Sequence, residues 1–191
     1  MANRQYFSSL AYYFQRALSQ DVTMYVDMID QLYEICDEDK VVLEDLDSRS
    51  NKNLEIIKTK YDIDNEPNPT WLGMSISNVL YSVYKEKYTD GEALALGLVG
   101  TAFISYKKNW LNKDEYYEIR DMFVPFNLPI SIEMVDVDKL LEEFKNNNSK
   151  NESGLYTMVL LKKVGKCVID KTVSIDDIKD AIDELNFDEA W

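Results

Sequence analysis

Apolar side chains recur at helical intervals through most of this chain. Between residues 6 and 36 they fall at Phe7, Leu10, Tyr13, Phe14 and Leu18, and then at Met24, Met28, Ile29, Leu32 and Ile35. Steps of three and four residues place each group on one helical face. The segment therefore predicts two helices divided near Ser19-Gln20-Asp21, with Asp21 as N-cap of the second. The methionines and tyrosines of these faces read as core packing. Asp37 to Asp47 is an acidic run interrupted by Val41, Val42, Leu43 and Leu46. It predicts a short helix with solvated charges, then a polar break over Ser48 to Asn53. A further helical piece, Leu54 to Tyr61, ends before Asn65-Glu66-Pro67-Asn68-Pro69, because proline cannot continue a helix.

Thr70 or Asn68 then caps a new start. From Ser75 to Lys87, Ile76, Val79, Leu80, Val83 and Tyr84 mark one buried helical face. Glu92 to Tyr106 is apolar on nearly every side and contains Ala93, Ala95, Gly97, Gly100 and Ala102, which suits a helix at the centre of a bundle where backbones approach closely. Asn112 to Phe123 starts with Asn112 and Glu115 in capping-box spacing and is broken by Pro125, Asn127 and Pro129. Val137 to Asn146 is amphipathic and starts at Asp136 or Asp138. Tyr156 to Leu161 and Lys166 to Asp170 are β-rich runs around Val164-Gly165, a small hairpin. Ser174 caps a last helix to Leu185, with Asp177 at the third helical position. The pattern predicts a mainly α fold, a helical bundle with one β-hairpin, in a single domain over residues 1–191.

A chain of 191 residues can bury a core without disulfide or metal staples. Its 35 acidic and 21 basic residues give a net charge of −14. Nucleic acid and anionic membrane surfaces are repelled by such a charge, so neither is an expected partner. No run approaches the ~20 apolar residues of a membrane span, and Met1-Ala2-Asn3-Arg4-Gln5 lacks the apolar stretch of a signal peptide. Cys36 and Cys167 form no Cys-x-x-Cys pair and read as reduced thiols, which with the rest places the expected location in the cytoplasm. The chain has no histidine. That removes the side chain best suited to proton transfer near neutrality and to metal ligation. The adjacent pairs Glu142-Glu143 and Asp176-Asp177 point in different directions on their helices, and Asp37, Glu38 and Asp39 lack the glycine turn of a calcium loop.

Asp90-Gly91-Glu92-Ala93-Leu94-Ala95-Leu96-Gly97 resembles the His-Gly-Glu-Ala-Val-Ala-Ile-Gly segment of 3-dehydroquinate synthases and related sugar-phosphate cyclases. Upstream, Leu72-Gly73-Met74-Ser75-Ile76-Ser77-Asn78 is similar to their Phe-Gly-His-Thr-x-Gly-His motif, at fitting spacing. Ser9-Leu10-Ala11-Tyr12-Tyr13-Phe14-Gln15 resembles, more weakly, their Gly-x-Ala-Glu-Val-Ile-Lys. The turn Asn146 to Gly154 followed by the hairpin matches the family's Asp-Lys-Lys turn and terminal strands. Most of residues 71 to 185 is covered, corresponding to the family's C-terminal helical domain.

The resemblance implies zinc held by the glutamate and two of the histidines, lysines around a phosphate-bearing substrate, and NAD on a separate Rossmann domain. At the metal-binding positions this chain carries Tyr12, Met74 and Asp90. Asn78 stands for the remaining histidine, Gln15 for an active-site lysine, and Asn148-Ser149-Lys150 for Asp-Lys-Lys. No Gly-x-Gly-x-x-Gly fingerprint occurs, so the Rossmann domain is expected to be absent. Lys58 and Lys60 read as surface lysines. The expectation is therefore no catalytic residue, no metal and no cofactor. Loss of ligands and lysines together points to a non-catalytic binding or assembly module whose partner is itself or another protein chain. The alternative is the helical half of a split 3-dehydroquinate synthase-like lyase that works with a separate Rossmann chain. More remote is a new activity in the old inter-domain cleft using Tyr12, Asn78, Asp90 and Lys150.

Overall fold

The computed structural model describes residues 4–30, 51–52 and 68–187. The expectations for Leu32, Ile35, Cys36, the acidic run, Leu54 to Tyr61 and the lysines Lys58 and Lys60 lie outside those residues. Within the expected polar break, Asn51 and Lys52 are helical and exposed.

Helix α1 (Arg4–Gln20) leads into α2 (Val22–Asp30) across Asp21. Asp21 caps α2 as its sequence suggested, since the Met24 amide donates to Asp21 Oδ1 at 2.9 Å. Asn68 opens a short 3-10 turn, Pro69–Trp71, by accepting the Thr70 amide at 3.0 Å. Then come α3 (Met74–Tyr84), α4 (Asp90–Lys107), α5 (Lys113–Asp121), a 3-10 turn at Val124–Phe126, α6 (Val137–Asn147) and α7 (Ile175–Leu185). Helix α4 starts two residues before the apolar pattern does. Thr89 and Glu92 form a full capping box, the Glu92 amide donating to Thr89 Oγ1 at 3.2 Å and the Thr89 amide to Glu92 Oε2 at 2.8 Å. To make room for that cap, α3 ends at Tyr84 and the Lys87 and Tyr88 amides fold back onto the Tyr84 carbonyl. The Asn112–Glu115 and Ser174–Asp177 boxes form as expected.

The anticipated hairpin is present and longer than its apolar core, with β2 (Tyr156–Lys163) antiparallel to β3 (Lys166–Val173) and Leu160 opposite Val168. Gly165 at its tip has φ +80° and donates its amide to the Leu18 carbonyl at 2.7 Å, which docks the hairpin on the junction of α1 and α2. A second pairing was not expected: two-residue strands β1 (Ile132–Glu133) and β4 (Asn186–Phe187) lie parallel. Runs that short carry no alternation for a sequence to display.

Helix α4 is the axis of the molecule. It is buried from Gly91 to Ala102 and packs against α1, α3, α5, α7 and β2. Two glycines set its closest approaches. A Cβ on Gly91 would lie 1.9 Å from the Ser8 carbonyl oxygen, and one on Gly97 would lie 2.4 Å from the Gly73 carbonyl oxygen. These contacts set the junction of α4 with its neighbours, the start of α4 lying against the first turns of α1 and its middle against the start of α3.

Candidate functional site

The residues singled out from the sequence separate into three groups around that junction. Tyr12, half-buried on α1, donates its hydroxyl to Oδ2 of Asp90, the exposed first residue of α4, at 2.7 Å. Burial first and the Asp90 hydrogen bond second push the Tyr12 phenol well above its ordinary ionisation, so it stays a neutral donor. Arg16, one turn along α1, is held below its usual pKa by burial, while the Tyr12 phenol acts against that.

Gln15 is fully buried and works as a brace. Its Nε2 donates to the carbonyls of Thr70 and Leu72, both at 2.8 Å, and its Oε1 accepts from Arg16 Nη1 at 2.7 Å. The side chain that stands for a family lysine thus ties α1 to the 3-10 turn before α3. Each amide donor and its acceptor is used, leaving nothing free for chemistry.

Met74 and Asn78 sit one turn apart on α3 and line a cavity of about 300 Å³ together with Trp71, Asn148, Thr157 and Met158. Neither Tyr12 nor Asp90 lines this cavity. Lys150 lies beside it rather than in it, its Nζ 5.9 Å from the centre of the Tyr156 ring. Asn147 and Asn148, which read as a turn in the sequence, close one side of the cavity while their Nδ2 groups donate to the carbonyls of Glu143 and Phe144 at the end of α6. Sequence periodicity could not reveal Thr157 and Met158 as lining residues, since a β-rich run does not show which helix it will meet. At the metal position implied by the family, the donor set consists of a phenol already tied to a carboxylate, and a thioether. Such a set does not fit zinc, which takes three or four N, S or O ligands in tetrahedral array.

No family model matches the chain. Curated relatives do. A 3-dehydroquinate synthase of Legionella pneumophila is 27% identical over 174 residues, covering 88% of this chain and 42% of that protein. The Acinetobacter baylyi 3-dehydroquinate synthase is 29% identical over 96 residues, 50% of this chain and 26% of its own length. Among solved structures, 2-epi-5-epi-valiolone synthase from Streptomyces hygroscopicus, with NAD+ and Zn2+ bound, superposes with a TM-score of 0.80 at 16% identity, over 95% of this chain and 51% of that one. A 2-deoxy-scyllo-inosose synthase complexed with carbaglucose-6-phosphate, NAD+ and Co2+ gives 0.70 at 18%, with the same coverage. The fold is therefore like that of about half of each of these synthases. In sequence the chain is similar to 3-dehydroquinate synthases, and it spans less than half the length of the curated relatives it matches.

Proposed function

We propose that the chain is a dehydroquinate-synthase-like helical module that binds a partner or ligand and does not carry out the cyclase reaction. The observation that carries this reading is the Tyr12–Asp90 hydrogen bond of 2.7 Å at the place of two of the three implied metal ligands, with Met74 at the third. The phenol satisfies the carboxylate that could otherwise coordinate. Gln15, in place of a substrate lysine, is spent on two backbone carbonyls. The reading extends to a cytoplasmic protein that pairs with itself or with another chain through the face around Tyr12, Met74, Asn78 and Asp90. The chemistry of the relatives, with their bound NAD+, Zn2+ or Co2+, stays with them.

Zinc content and turnover test the proposal together. After dialysis the purified chain should hold no stoichiometric zinc by elemental analysis, should bind no NAD by calorimetry, and should release no phosphate from the heptulosonate phosphate substrate of the family. Zinc retained and then lost on Asp90→Ala, or phosphate release dependent on Lys150, overturns it. A second reading is favoured by the coverage, 95% of this chain against 51% of the cyclase structures. It makes the chain the helical half of a split synthase. Co-purification of a Rossmann-domain chain at native abundance, with activity restored in the mixture, would establish that reading in place of the first.

A further inference from the structure

The cavity beside α3 is unlike the rest of the surface. In a chain that is 29% charged, none of the ten described residues lining it carries a charge. An anion placed there would leave water without a cation to receive it, inside a molecule of net charge −14. A cation would find no carboxylate among the described lining residues. Lys150, the nearest basic group of the family-like turn, rests on Tyr156 outside the cavity.

What the lining does offer is apolar area and a few unused polar ends. Trp71, 43% exposed, supplies an indole ring to the lining, and Met74 and Met158 add polarisable thioethers, which make favourable contacts with ring edges. Asn78 and Thr157 make no side-chain hydrogen bond among the described residues, so an amide and a hydroxyl are free at the mouth. A volume of about 300 Å³ is at the small end for ligand sites and suits a single ring rather than a dinucleotide.

We propose that this cavity binds a small uncharged ring compound bearing amide or hydroxyl groups, with the ring against Trp71, Met74 and Met158 and the polar substituent at Asn78 and Thr157. The proposal rests on the reading of the chain as a binding module. It gives that module an uncharged ligand class, unlike the anionic carbaglucose-6-phosphate named in one of the neighbouring structures.

Benzamide and benzoate are nearly equal in size and differ in charge at neutral pH, which makes them a matched pair of probes. Binding is followed by tryptophan fluorescence and by saturation-transfer NMR. Benzamide should bind saturably, with benzoate at least about tenfold weaker. Trp71→Phe should remove the fluorescence change while NMR still detects benzamide. Thr157→Trp, at an exposed strand position, should fill the mouth and abolish binding with the circular dichroism spectrum unchanged. If that variant misfolds, Asn78→Ala on the exposed helix face should weaken benzamide several-fold. Equal affinity for the two probes, no binding of either, or binding indifferent to both cavity variants overturns the proposal. Zinc-dependent phosphate release would sink the non-catalytic reading and leave this charge discrimination standing, so the two failures are distinguishable.

Discussion

Gly97 shows what a single residue decides in this fold. Its missing side chain lets α4 meet the backbone at the start of α3, where an added Cβ would fall 2.4 Å from the Gly73 carbonyl oxygen and 2.8 Å from the Ser77 amide nitrogen. Backbone cannot step aside as a side-chain tip can. At Gly100 the three nearest atoms to a Cβ would all be side-chain atoms, Ile76 Cδ1 at 3.1 Å, Leu185 Cδ1 at 3.6 Å and Ile76 Cγ2 at 3.7 Å. Gly97→Ala should therefore destabilise by about 1–3 kcal/mol, the range for overpacking, and Gly97→Leu by more, while Gly100→Ala costs less. Urea midpoints of the three variants check the order. A Gly97→Ala protein as stable as Gly100→Ala would contradict the placement. Gln15 argues the same way through polarity. Gln15→Ala removes the donor from the buried Leu72 carbonyl and from that of Thr70, and should cost about 1–3 kcal/mol, the range for stranded buried acceptors. The small residues of α4 were legible in the sequence as a close-packing signal. The bracing role of Gln15 was not, since its acceptors belong to a turn more than fifty residues away.

At the scale of elements, the latch between α1 and α4 joins capping to electrostatics. Glu92 closes the capping box with Thr89 and also accepts from Arg4, Nε at 2.7 Å and Nη2 at 2.5 Å, while Thr89 Oγ1 meets Ser8 Oγ at 2.7 Å. Burial works to raise the pKa of Glu92, but the hydrogen bonds from Arg4 and Thr89 outweigh it and hold the carboxyl below its usual value of 4.5. The sign follows from that depression. The folded state favours the ionised form, so its contribution is complete above the unfolded value near 4.5 and fades as pH falls through the lower folded value. Glu92→Gln, which keeps the capping geometry, should lower stability at pH 7, and its deficit relative to wild type should shrink as pH drops below about 4.5. Comparing the two proteins at each pH cancels the titration they share. A deficit that is constant with pH would assign the loss to something other than the ionised carboxylate. Thr89→Ala should cost about 1 kcal/mol at pH 7, as for an ordinary N-cap. The apolar pattern located the helix but missed this start, because Thr89-Asp90-Gly91-Glu92 is polar before it is periodic.

For the whole molecule, the bundle was readable because helical patterns bury one face and the hairpin because two β-rich runs flank Val164-Gly165, whereas the parallel pairing of β1 with β4 is too short to leave a pattern. The grouping of the candidate residues was legible only in part. Family-like spacing brought Tyr12 to Asp90 and Met74 to Asn78, but only packing shows Met74 and Asn78 turned to the cavity. That same packing leaves an outward stripe along the 3-10 turn and α3, with Trp71, Met74, Asn78 and Tyr81 recurring at three- and four-residue steps. Trp71 and Tyr81 are each 43% exposed, and Tyr81 lies close enough to Tyr12 to act on its ionisation, so the stripe runs on to the Tyr12–Asp90 pair. On the proposed reading of this face as a contact surface, a homodimer over the Tyr12–Tyr81 end of the stripe is the occupant to test, with the cavity at its Trp71 end left to a ligand. Two chains of charge −14 repel each other at long range, so screening should tighten the dimer as salt rises through the range where the Debye length falls to about 8 Å. Tyr12→Glu and Met74→Asp each add a further negative charge to the contact and should shift association toward monomer. Sedimentation velocity over a concentration series, at low and physiological salt, measures both effects. A protein that stays monomeric throughout, with both variants behaving as wild type, would remove self-association from this face and leave its aromatic stripe to a different chain.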